Sequence, residues 1–564
     1  MDCPIFDSIT GLRHWAAVAP ERAAFIALNS RIEESGELSY GKLDLRARAL
    51  AAILQDRVAR GDRALLVYPP GLDFIVALFA CFYAGVVAVP APAPHTSQSH
   101  RPTRERLSAI AVACEPTLLL TTAALAESLT SIEAALPCLA TDGISEAFAA
   151  GWTEGRHTAE ELAFLQFTSG STGAPKGVMI RHSNVSANLE VLNRVVKLGP
   201  DQRMLTWLPH YHDMGLIGTI LYPAAMGSTC WLMAPATFLQ RPVRWLQAIS
   251  RYRIDTSGGP NFAYEYCVRR TTPEERTALD LSCWELAFNG AESVRSGSLD
   301  RFAEVFAPHG FRHEAFFPCY GLAESTLMAA AGQRLHGPRQ RTADSTAFAH
   351  GLLRDAPAGD LGVPLVSSGS PQPKHQIVIA DPESGRPLPP GHIGEVWLSG
   401  PSVTEGYWGI AEHGAHFATL PVGETIQRFL RTGDLGALWD GELYLAGRLK
   451  DLIIVDGRNH HPEDIERTLE QAHSSFRPGA CAAFSVELDG AERLIVAIEC
   501  ERKAVRTESV VIAAREAIAV NHELPLRDLV FLRFGELPRT TSGKVRRHAC
   551  RERYMSGAFN AVAR

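Results

Sequence analysis

The sequence lacks several features that would assign the protein to a specialised class. Its eleven cysteines contain no C-x-x-C pair, so neither a zinc framework nor a disulfide framework is indicated. We interpret them as buried thiols in a reducing compartment. Positive charge is not in excess, because the formal net charge is −7, which argues against nucleic-acid binding as the main activity. No internal repeat is evident, which argues against a repeat architecture.

Long hydrophobic runs are also missing. One membrane-like stretch, from Phe74 to Val89, has only 16 residues, fewer than the roughly 20 needed to span a bilayer. Its pattern favours a buried helix that leads into a buried strand. The first residues show no basic segment followed by an apolar run, so no signal peptide is predicted. We therefore expect a cytoplasmic protein without a membrane span.

The length of 564 residues predicts at least two domains. From about Pro20 to Asp440, short apolar runs alternate with segments of helical period, which indicates an α/β core of mostly parallel, doubly covered strands. After Gly447 the pattern changes to a compact α+β unit, with a helix that begins at Pro462. The predicted domains are residues 1–447 and 448–564.

One short run is rich in residues that handle phosphate. "FTSGSTGAPKGVMI", from Phe167 to Ile180, holds three glycines, four hydroxyl side chains and Lys176. It fails the Walker template G-x-x-x-x-G-K-S/T at the second glycine and at the final hydroxyl residue. Glycines nevertheless allow close backbone approach, and N–H groups with hydroxyls can bind phosphate oxygens. The alternative is a Ser/Gly-rich turn between strands.

Further motifs follow this run in a fixed order. They are "LPHYHDMGLIG" (208–218), "FNGAES" (288–293), "CYGLAES" (319–325), "GEVWLSGPSVTEGYW" (394–408), "RTGDLG" (431–436), "GRLKDLIIVDGRNHHPEDIE" (447–466) and "LPRTTSGKVRR" (537–547). In this order they resemble the core motifs of the adenylate-forming superfamily, which comprises acyl-CoA synthetases, luciferases and adenylation domains of nonribosomal peptide synthetases. The resemblance covers nearly the whole chain and implies an ATP-dependent enzyme that activates carboxylates.

Some strings resemble the fatty acyl-AMP ligases in particular, namely "HYHDMGLIG", "FLQRPVRWLQAISRY" with "SGGPNFAYEYCVRR", "YGLAES" and "GRNHHPEDIE". A polar, weakly periodic stretch at about 337–365 lies where those ligases carry an insertion, which is thought to hinder the domain rotation that would admit CoA. The resemblance implies a large N-terminal domain of mixed sheets covered by helices and a smaller, mobile α+β domain. It also implies that Lys450 is the hinge between them, although it could be a plain exposed charge.

The resemblance further implies a nucleotide site. Lys176 and the loop before it would hold the β- and γ-phosphates of ATP, although Lys176 could instead be an exposed loop cation. Asp434 would accept hydrogen bonds from the ribose hydroxyls, with Arg448 beside it. The loop residues are Thr168, Ser169, Gly170, Ser171, Thr172 and Gly173. The residues along the adenine would be Tyr320, Gly321, Asn289, Gly290 and Ala291.

Three residues are implied to act in the reaction itself. Lys544 would neutralise charge on the carboxylate and the α-phosphate in the transition state, the alternative being a surface lysine in a basic tail. Glu324 would be the acid associated with Mg²⁺, for which one protein carboxylate suffices; otherwise it is an acid at a helix N-terminus. His212 would form an aromatic gate beside the acyl carboxylate. His210 and His212 alone are weak evidence for zinc.

The leading hypothesis is a fatty acyl-AMP ligase that uses ATP and Mg²⁺ to make acyl-adenylate from a medium- or long-chain fatty acid. It would pass the acyl group to the phosphopantetheine thiol of a separate acyl carrier protein or carrier domain. The alternatives are a fatty acyl-CoA ligase and a catalytically inactive binding protein on the same fold. The segments Met214–Thr229 and Ser257–Tyr266 are candidates to line the apolar acyl tunnel.

Overall fold

A computed structural model describes most of the chain. The described residues are 7–94, 101–129, 136–155, 157–168, 175–359, 362–410, 416–455, 458–473, 475–477, 479–488, 491–500, 508–522, 524–540 and 543–559. For residues 101, 102, 454, 458, 459, 491, 500 and 508 only the backbone is described.

The strands are numbered in chain order. They are β1 (Ala23–Leu28), β2 (Glu34–Ser39), β3 (Arg63–Tyr68), β4 (Val87–Pro92), β5 (Leu118–Thr121), β6 (Cys138–Ala140), β7 (Leu162–Thr168), β8 (Lys176–Arg181), β9 (Arg203–Thr206), β10 (Thr229–Met233), β11 (Thr256–Gly259), β12 (Leu286–Asn289), β13 (Phe316–Gly321), β14 (Met328–Ala331), β15 (Gln340–Ala343), β16 (Val363–Val366), β17 (Ser370–Pro371), β18 (Gln376–Ala380), β19 (Gly394–Ser399), β20 (Phe417–Val422), β21 (Thr425–Trp439), β22 (Glu442–Arg448), β23 (Ile453–Val455), β24 (Arg458–His460), β25 (Cys481–Leu488), β26 (Ala491–Cys500) and β27 (Leu526–Arg533).

The α-helices are numbered in the same way. They are α1 (Ser8–Val18), α2 (Tyr40–Arg57), α3 (Leu72–Ala84), α4 (Arg101–Cys114), α5 (Ala123–Leu129), α6 (His182–Val195), α7 (Tyr222–Met226), α8 (Pro235–Gln240), α9 (Val243–Tyr252), α10 (Asn261–Arg270), α11 (Pro273–Arg276), α12 (Ser296–Phe306), α13 (Ser345–Ala349), α14 (Pro462–Ala472), α15 (Glu508–His522) and α16 (Arg547–Met555). A π-helix, Met214–Leu221, continues directly into α7.

Two large sheets carry the N-terminal region. The nine-stranded sheet has the order β17-β14-β13-β12-β11-β9-β10-β1-β2, and the six-stranded sheet has the order β6-β5-β3-β4-β7-β8. The interior pairs of both sheets are parallel, with antiparallel strands at the edges. Apolar side chains from both sheets and from α3 share one core cluster, so the two sheets are packed together. This confirms the predicted α/β class of mixed sheets.

The membrane-like stretch is a core element, as the sequence predicts. It forms α3 and β4, and the side chains from Phe74 to Tyr83 are at most 4 % exposed. Helix α3 ends at Gly85, whose left-handed φ of 70° suits glycine and turns the chain into β4. Among the described residues, no helix combines the length and the apolar composition needed to cross a membrane.

One part of the N-terminal region departs from the predicted parallel core. Strands β18 to β22 form a separate five-stranded sheet in which every pair is antiparallel. The reason is that short turns join several of these strands as hairpins, for example around Gly423 and Gly441, both at positive φ. Alternation of apolar runs with helical segments is therefore a poor guide beyond about residue 370.

The C-terminal region has its own small core. Strands β25, β26 and β27 form a three-stranded sheet, and α14, α15 and the β23–β24 hairpin pack against it. The other face of the sheet packs against α16. The predicted order of elements is found, with β24 as an additional short strand before α14. The domain boundary at 447/448 stays a prediction.

The predicted insertion is a packed structural segment. Strands β15 and β16 pair with each other, and α13 lies between them in sequence. Arg341 ion-pairs with Asp355 and Asp440 at 2.5 Å each and lies over the Trp439 ring. Phe348 of α13 packs with residues of β21 and β22, and its ring centroid lies 4.9 Å from that of His461, the residue before α14. The insertion therefore contacts the start of the C-terminal region.

Candidate active site

The carboxyl ends of two parallel strands form a tight slot. Strand β12 ends at Asn289 and β13 ends at Gly321. A side chain at Gly290 would come within 2.9 Å of the Cys319 backbone oxygen, and one at Gly321 within 1.6 Å of the Leu327 oxygen. Both positions therefore need glycine. Crevices at the carboxyl ends of parallel strands are where α/β proteins bind ligands.

The slot contains an unsatisfied acceptor that fits an adenine. Asn289 is completely buried, and its Oδ1 has no hydrogen-bond partner in the described structure. Its Nδ2 lies 3.4 Å from Asn261 Oδ1, and Ala291 follows at a left-handed φ of 67°. An orphaned buried carbonyl is costly unless a ligand satisfies it. The exocyclic amino group of adenine is a donor of the required kind.

Asp434 connects this slot to the antiparallel sheet. Its Oδ2 accepts a hydrogen bond of 2.8 Å from the Tyr320 hydroxyl, and its Oδ1 lies 2.9 Å from Nε of Arg448. Asp434 is 8 % exposed, and it pairs with Arg448 in the β21–β22 ladder. The structure therefore brings together Tyr320, Asp434 and Arg448, three of the residues predicted along adenine and ribose.

The predicted phosphate loop joins a β-hairpin. Thr168 ends β7 and pairs with Lys176, the first residue of β8. The predicted residues Ser169, Gly170, Ser171, Thr172 and Gly173 lie outside the described residues. The ammonium of Lys176 lies 3.1 Å from Nε2 of His416 and 5.4 Å from the centroid of the Tyr407 ring. Lys176 is therefore held at the base of the loop.

Glu324 is tied to the same group of residues. Its Oε1 accepts a hydrogen bond of 2.9 Å from the Tyr407 hydroxyl, and its backbone oxygen accepts one of 2.8 Å from Thr404. Burial raises the pKa of the Glu324 carboxyl. The described residues contain no cluster of three or more acidic, histidine or cysteine side chains that could hold a metal. The Glu324 carboxylate could supply one oxygen to a cation, with phosphate oxygens and water as the other ligands, and this donor set suits Mg²⁺.

Lys544 enters this cleft from the C-terminal region. A turn presents it, in which the Thr540 Oγ1 accepts a hydrogen bond of 3.0 Å from the Lys544 backbone N–H. Gly543 adopts φ of 88°, and a side chain there would lie 3.0 Å from the Phe262 ring in α10. Burial lowers the pKa of the Lys544 ammonium and Arg448 lowers it further, while three carboxylates, those of Asp213, Glu292 and Asp434, raise it.

His212 lies in the same cleft as a neutral ring. Burial lowers its pKa to about 3, with smaller contributions from Arg106 and Lys544. Next to it, Asp213 caps the π-helix, since its Oδ1 accepts from the Met214 N–H at 2.8 Å. A neutral imidazole fits the predicted position beside a carboxylate, because it adds no charge to that of Lys544.

Lys450 lies in a short 3₁₀ turn, Leu449–Asp451, between β22 and β23. This turn separates the antiparallel sheet of the N-terminal region from the first hairpin of the C-terminal region. The position is compatible with a hinge, and that role stays a prediction.

The segments predicted to line an acyl tunnel begin at this cleft. Met214–Leu221 and α7 are mostly buried in one core cluster, while β11 and α10 border a second, aromatic-rich cluster. Trp207 stacks on Phe238 with 4.0 Å between ring centroids and meets Phe262 edge-on at 6.1 Å. Gly258 and Gly259 allow Phe288 and Trp207 to approach the β11 backbone.

Comparisons with known proteins agree with this geometry. The profile of the AMP-binding enzyme family matches residues 12–408, and that of the AMP domain of Disco-interacting protein 2-like proteins matches residues 450–564. The medium-chain-fatty-acid–acyl-carrier-protein ligase JamA of Moorena producens is 41 % identical, over 99 % of this chain and 97 % of its own. The long-chain-fatty-acid–AMP ligase FadD32 of Mycolicibacterium smegmatis is 34 % identical, over 98 % of this chain and 95 % of its own. The chain belongs to the fatty acyl-AMP ligases of the AMP-binding enzyme family.

A solved structure of another fatty acyl-AMP ligase supports the same fold. The fatty acyl-adenylate ligase of Legionella pneumophila, in complex with acyl adenylate and pyrophosphate, is 36 % identical with a TM-score of 0.77. The match covers 98 % of this chain and 96 % of that chain.

In this fatty acyl-AMP ligase the cleft also contains residues that sequence reasoning missed. The carboxylates of Asp213 and Glu292 act to raise the pKa of Lys544, although neither residue was predicted. Both stand inside recognised strings, "HYHD" and "NGAES", so their position in those motifs was an available signal. Tyr407, whose ring lies 5.4 Å from the Lys176 ammonium, also stands inside a recognised string, "GEVWLSGPSVTEGYW". His416, which contacts Lys176, lies outside the recognised strings, and no local pattern connects these two residues.

Proposed function

We propose that the protein activates a medium- or long-chain fatty acid with ATP and transfers the acyl group to the phosphopantetheine thiol of a carrier protein. The observation that carries the proposal is the place of Lys544, whose neighbour Gly543, in the C-terminal region, lies against the Phe262 ring of the N-terminal region. In this place the carboxylates of Asp213, Glu292 and Asp434 act to raise the pKa of the Lys544 ammonium. A positively charged ammonium group in this cleft can offset the repulsion between the two anions that react, a carboxylate and the α-phosphate of ATP.

In the first step a carboxylate oxygen of the fatty acid attacks the α-phosphorus of ATP. The bond from that phosphorus to the bridging oxygen of the β-phosphate breaks, and pyrophosphate leaves with the bonding electrons. Negative charge accumulates on the α-phosphate oxygens, so a positioned cation lowers the barrier. Lys544 supplies that cation, and His212 flanks the carboxylate without adding charge.

The nucleotide is held by groups from three sheets. Asn289 Oδ1 accepts from the adenine amino group, Tyr320 and Gly321 border the base, and Asp434 with Arg448 binds the ribose. Lys176 and the adjoining loop bind the β- and γ-phosphates. Glu324 would hold Mg²⁺, which when bound neutralises phosphate charge.

In the second step the thiol sulfur of the carrier attacks the acyl carbon. The bond between that carbon and the AMP oxygen breaks, AMP leaves, and the thiol proton passes to solvent. A turn at Lys450 would let the C-terminal region move Lys544 away between the two steps. The proposed partner is a phosphopantetheinylated acyl carrier protein or a carrier domain of a polyketide or nonribosomal peptide synthase. The similarity to JamA, a medium-chain-fatty-acid–acyl-carrier-protein ligase, supports this class of partner.

The second candidate function is a fatty acyl-CoA ligase. One contact argues against it, because Phe348 of the insertion packs against His461 at the start of the C-terminal region. The apolar cluster around Phe348 also includes Ala446 and Leu449, beside Lys450. An insertion packed on both sides of the turn would hinder the rotation that CoA needs.

A product assay tests the proposal. The protein is incubated with ATP, Mg²⁺ and laurate, with and without CoA, and the products are identified by mass spectrometry. We expect acyl-AMP and pyrophosphate in both cases and no efficient acyl-CoA formation. Efficient acyl-CoA formation by the wild type would favour the second candidate.

A variant tests the role of the insertion separately. Phe348→Ala removes the contact with His461, and we expect acyl-CoA formation to rise above that of the wild type. The matched variant Phe148→Ala alters a 53 % exposed ring outside the insertion and should leave the product distribution unchanged.

A further inference from the structure

A group of charged residues crosses from the N-terminal region to the C-terminal region beside the reaction cleft. Arg295 immediately precedes α12, and its NH1 lies 2.9 Å from Glu470 Oε2 while its NH2 lies 4.0 Å from Glu466 Oε2. Both glutamates belong to α14 and are spaced four residues apart, so they share one helix face. Their side chains are 7 % and 3 % exposed.

The two glutamates are fixed from within the C-terminal region. Glu470 Oε1 accepts a hydrogen bond of 2.6 Å from the Gly479 N–H, and Glu466 Oε1 accepts one of 3.0 Å from the Ala483 N–H. Arg295 is fixed from within the N-terminal region, because its backbone N–H donates to Asn261 Oδ1 at 3.1 Å. Each side of the contact is therefore held in place independently of the other.

The same glutamates connect Arg295 to the catalytic turn and to the predicted hinge. Arg547, three residues after Lys544, makes two hydrogen bonds of 2.8 Å to Glu466. Its NH1 lies 3.0 Å from Asp451, the residue after Lys450. A continuous path of ion pairs thus runs from Arg295 through Glu466 to Arg547 and Asp451.

We propose that Arg295 is a positioning residue, whose guanidinium holds the C-terminal region in the arrangement that places Lys544 in the cleft. The inference rests on the proposed function, since it concerns the adenylation step. The described hydrogen bonds and ion pairs of the Arg295 side chain are all made with the C-terminal region. Loss of this side chain should therefore weaken the contact between the two regions and leave the internal stability of each region unchanged. The remaining carboxylates would also lose the cation that balances them.

The test compares Arg295→Gln with a matched arginine that stays within one region. Arg334 is similarly enclosed, with its NH2 2.6 Å from Glu285 Oε2, and both residues belong to the N-terminal region. We expect Arg295→Gln to lower the kcat of fatty-acid-dependent pyrophosphate release by about 10-fold or more, because the competent arrangement is less populated. The KM for ATP and the melting temperature should change little. Arg334→Gln should lower the melting temperature and leave kcat unchanged in the folded protein.

Two further measurements separate positioning from general damage. Trypsin should cleave Arg295→Gln faster than the wild type between Arg448 and Asp451, because the turn opens more often. Arg295→Lys should restore part of kcat. In a double-mutant cycle, Glu470→Gln should add little to Arg295→Gln.

Three results would overturn the inference. They are a wild-type kcat for Arg295→Gln, additive effects of Arg295→Gln and Glu470→Gln, or a loss of kcat that merely follows a lower melting temperature. Absence of pyrophosphate release by the wild type itself would instead count against the proposed function.

Discussion

The residues predicted to hold adenine and ribose are fixed mainly by the backbone, whereas Lys544 is fixed by a small number of contacts between two regions. Asn289, Gly290 and Gly321 stand at the ends of parallel strands, where a side chain at either glycine would collide with backbone oxygen or sulfur atoms. Lys544 depends on the packing of Gly543 against Phe262 and on the ion pairs of Arg295.

This difference explains how one cleft can serve two steps. Strand ends are part of large hydrophobic cores and cannot move independently. The charges of Arg295, Glu466 and Glu470 return to water when the two regions separate, so these ion pairs can be broken and remade without unfolding either region. The nucleotide site is therefore expected to persist throughout the cycle, while the lysine is expected to leave.

The largest effect should come from removing the ammonium group of Lys544, the charge that is expected to leave the cleft between the two steps. Lys544→Ala should lower pyrophosphate release by about 10²- to 10³-fold, by analogy with the loss of one transition-state donor. The KM for ATP should change far less, because the strand ends still bind the nucleotide. Arg551→Ala, an exposed cation on α16, serves as the control in the same assay. Near-wild-type release by Lys544→Ala would contradict the assignment.

The next largest effect concerns Asp434, at the proposed ribose site, which is expected to persist throughout the cycle. Asp434→Asn keeps the shape of the side chain but removes the charge that faces Arg448 and Tyr320. We expect kcat/KM for ATP to fall about 10- to 100-fold, the usual cost of losing a charged hydrogen bond. Asp440→Asn, at an exposed aspartate paired with Arg341, should retain wild-type kcat/KM. Equal values for both variants would exclude Asp434 from the ribose site.

A smaller effect is expected from alanine substitutions at two glycines. Their comparison separates the cost of backbone strain from the loss of a contact between the two regions. Gly543 and Gly535 both have positive φ, 88° and 86°, but only Gly543 faces a neighbour within 4 Å, the Phe262 ring. Replacement by alanine should cost each about 1 kcal/mol of stability. Only Gly543→Ala should also lower the adenylation rate, by roughly 5-fold, because it displaces the Lys544 turn. Equal rates for the two variants would mean that the Phe262 contact is dispensable.

The smallest effect concerns the free energy of unfolding and its dependence on pH, through a histidine that is buried in the core. Burial lowers the pKa of His182 to about 4, against an ordinary value of about 6.5. Between these values the unfolded chain binds a proton that the folded chain does not, so stability falls as the pH falls. This histidine should contribute a loss of about 1 kcal/mol per pH unit in that window.

His182→Gln should therefore reduce the slope of unfolding free energy against pH, measured by urea titration between pH 7 and pH 5. The exposed His392 provides the control, and His392→Gln should leave the slope unchanged. An unchanged slope for His182→Gln would show that folding does not lower the pKa of this imidazole.

Local patterns predicted most elements of the fold. The apolar run from Phe74 to Val89 became α3 and β4, and the helix predicted to begin at Pro462 is α14. The antiparallel sheet from β18 to β22 was missed, because the pairing of strands is set by turns and packing rather than by the apolar pattern within each strand.

Recognition of motifs placed most of the candidate site, but not its internal contacts. Asp213 and Glu292 lie 79 residues apart and Lys544 lies 252 residues after Glu292, so only the folded structure brings them into one cleft. The same holds for Arg295 and Glu470, whose pairing depends on how the C-terminal region lies against α12. No local pattern in the sequence indicates which charges meet across such a contact.

The most direct test of the central claim is an exchange measurement. The protein is given ATP, Mg²⁺ and labelled pyrophosphate, with a series of fatty acids or none, and label is followed into ATP. We expect label to enter ATP only when a fatty acid is present, and Lys544→Ala to abolish most of this exchange. Exchange without a fatty acid, or no exchange with any chain length in the wild type, would contradict it.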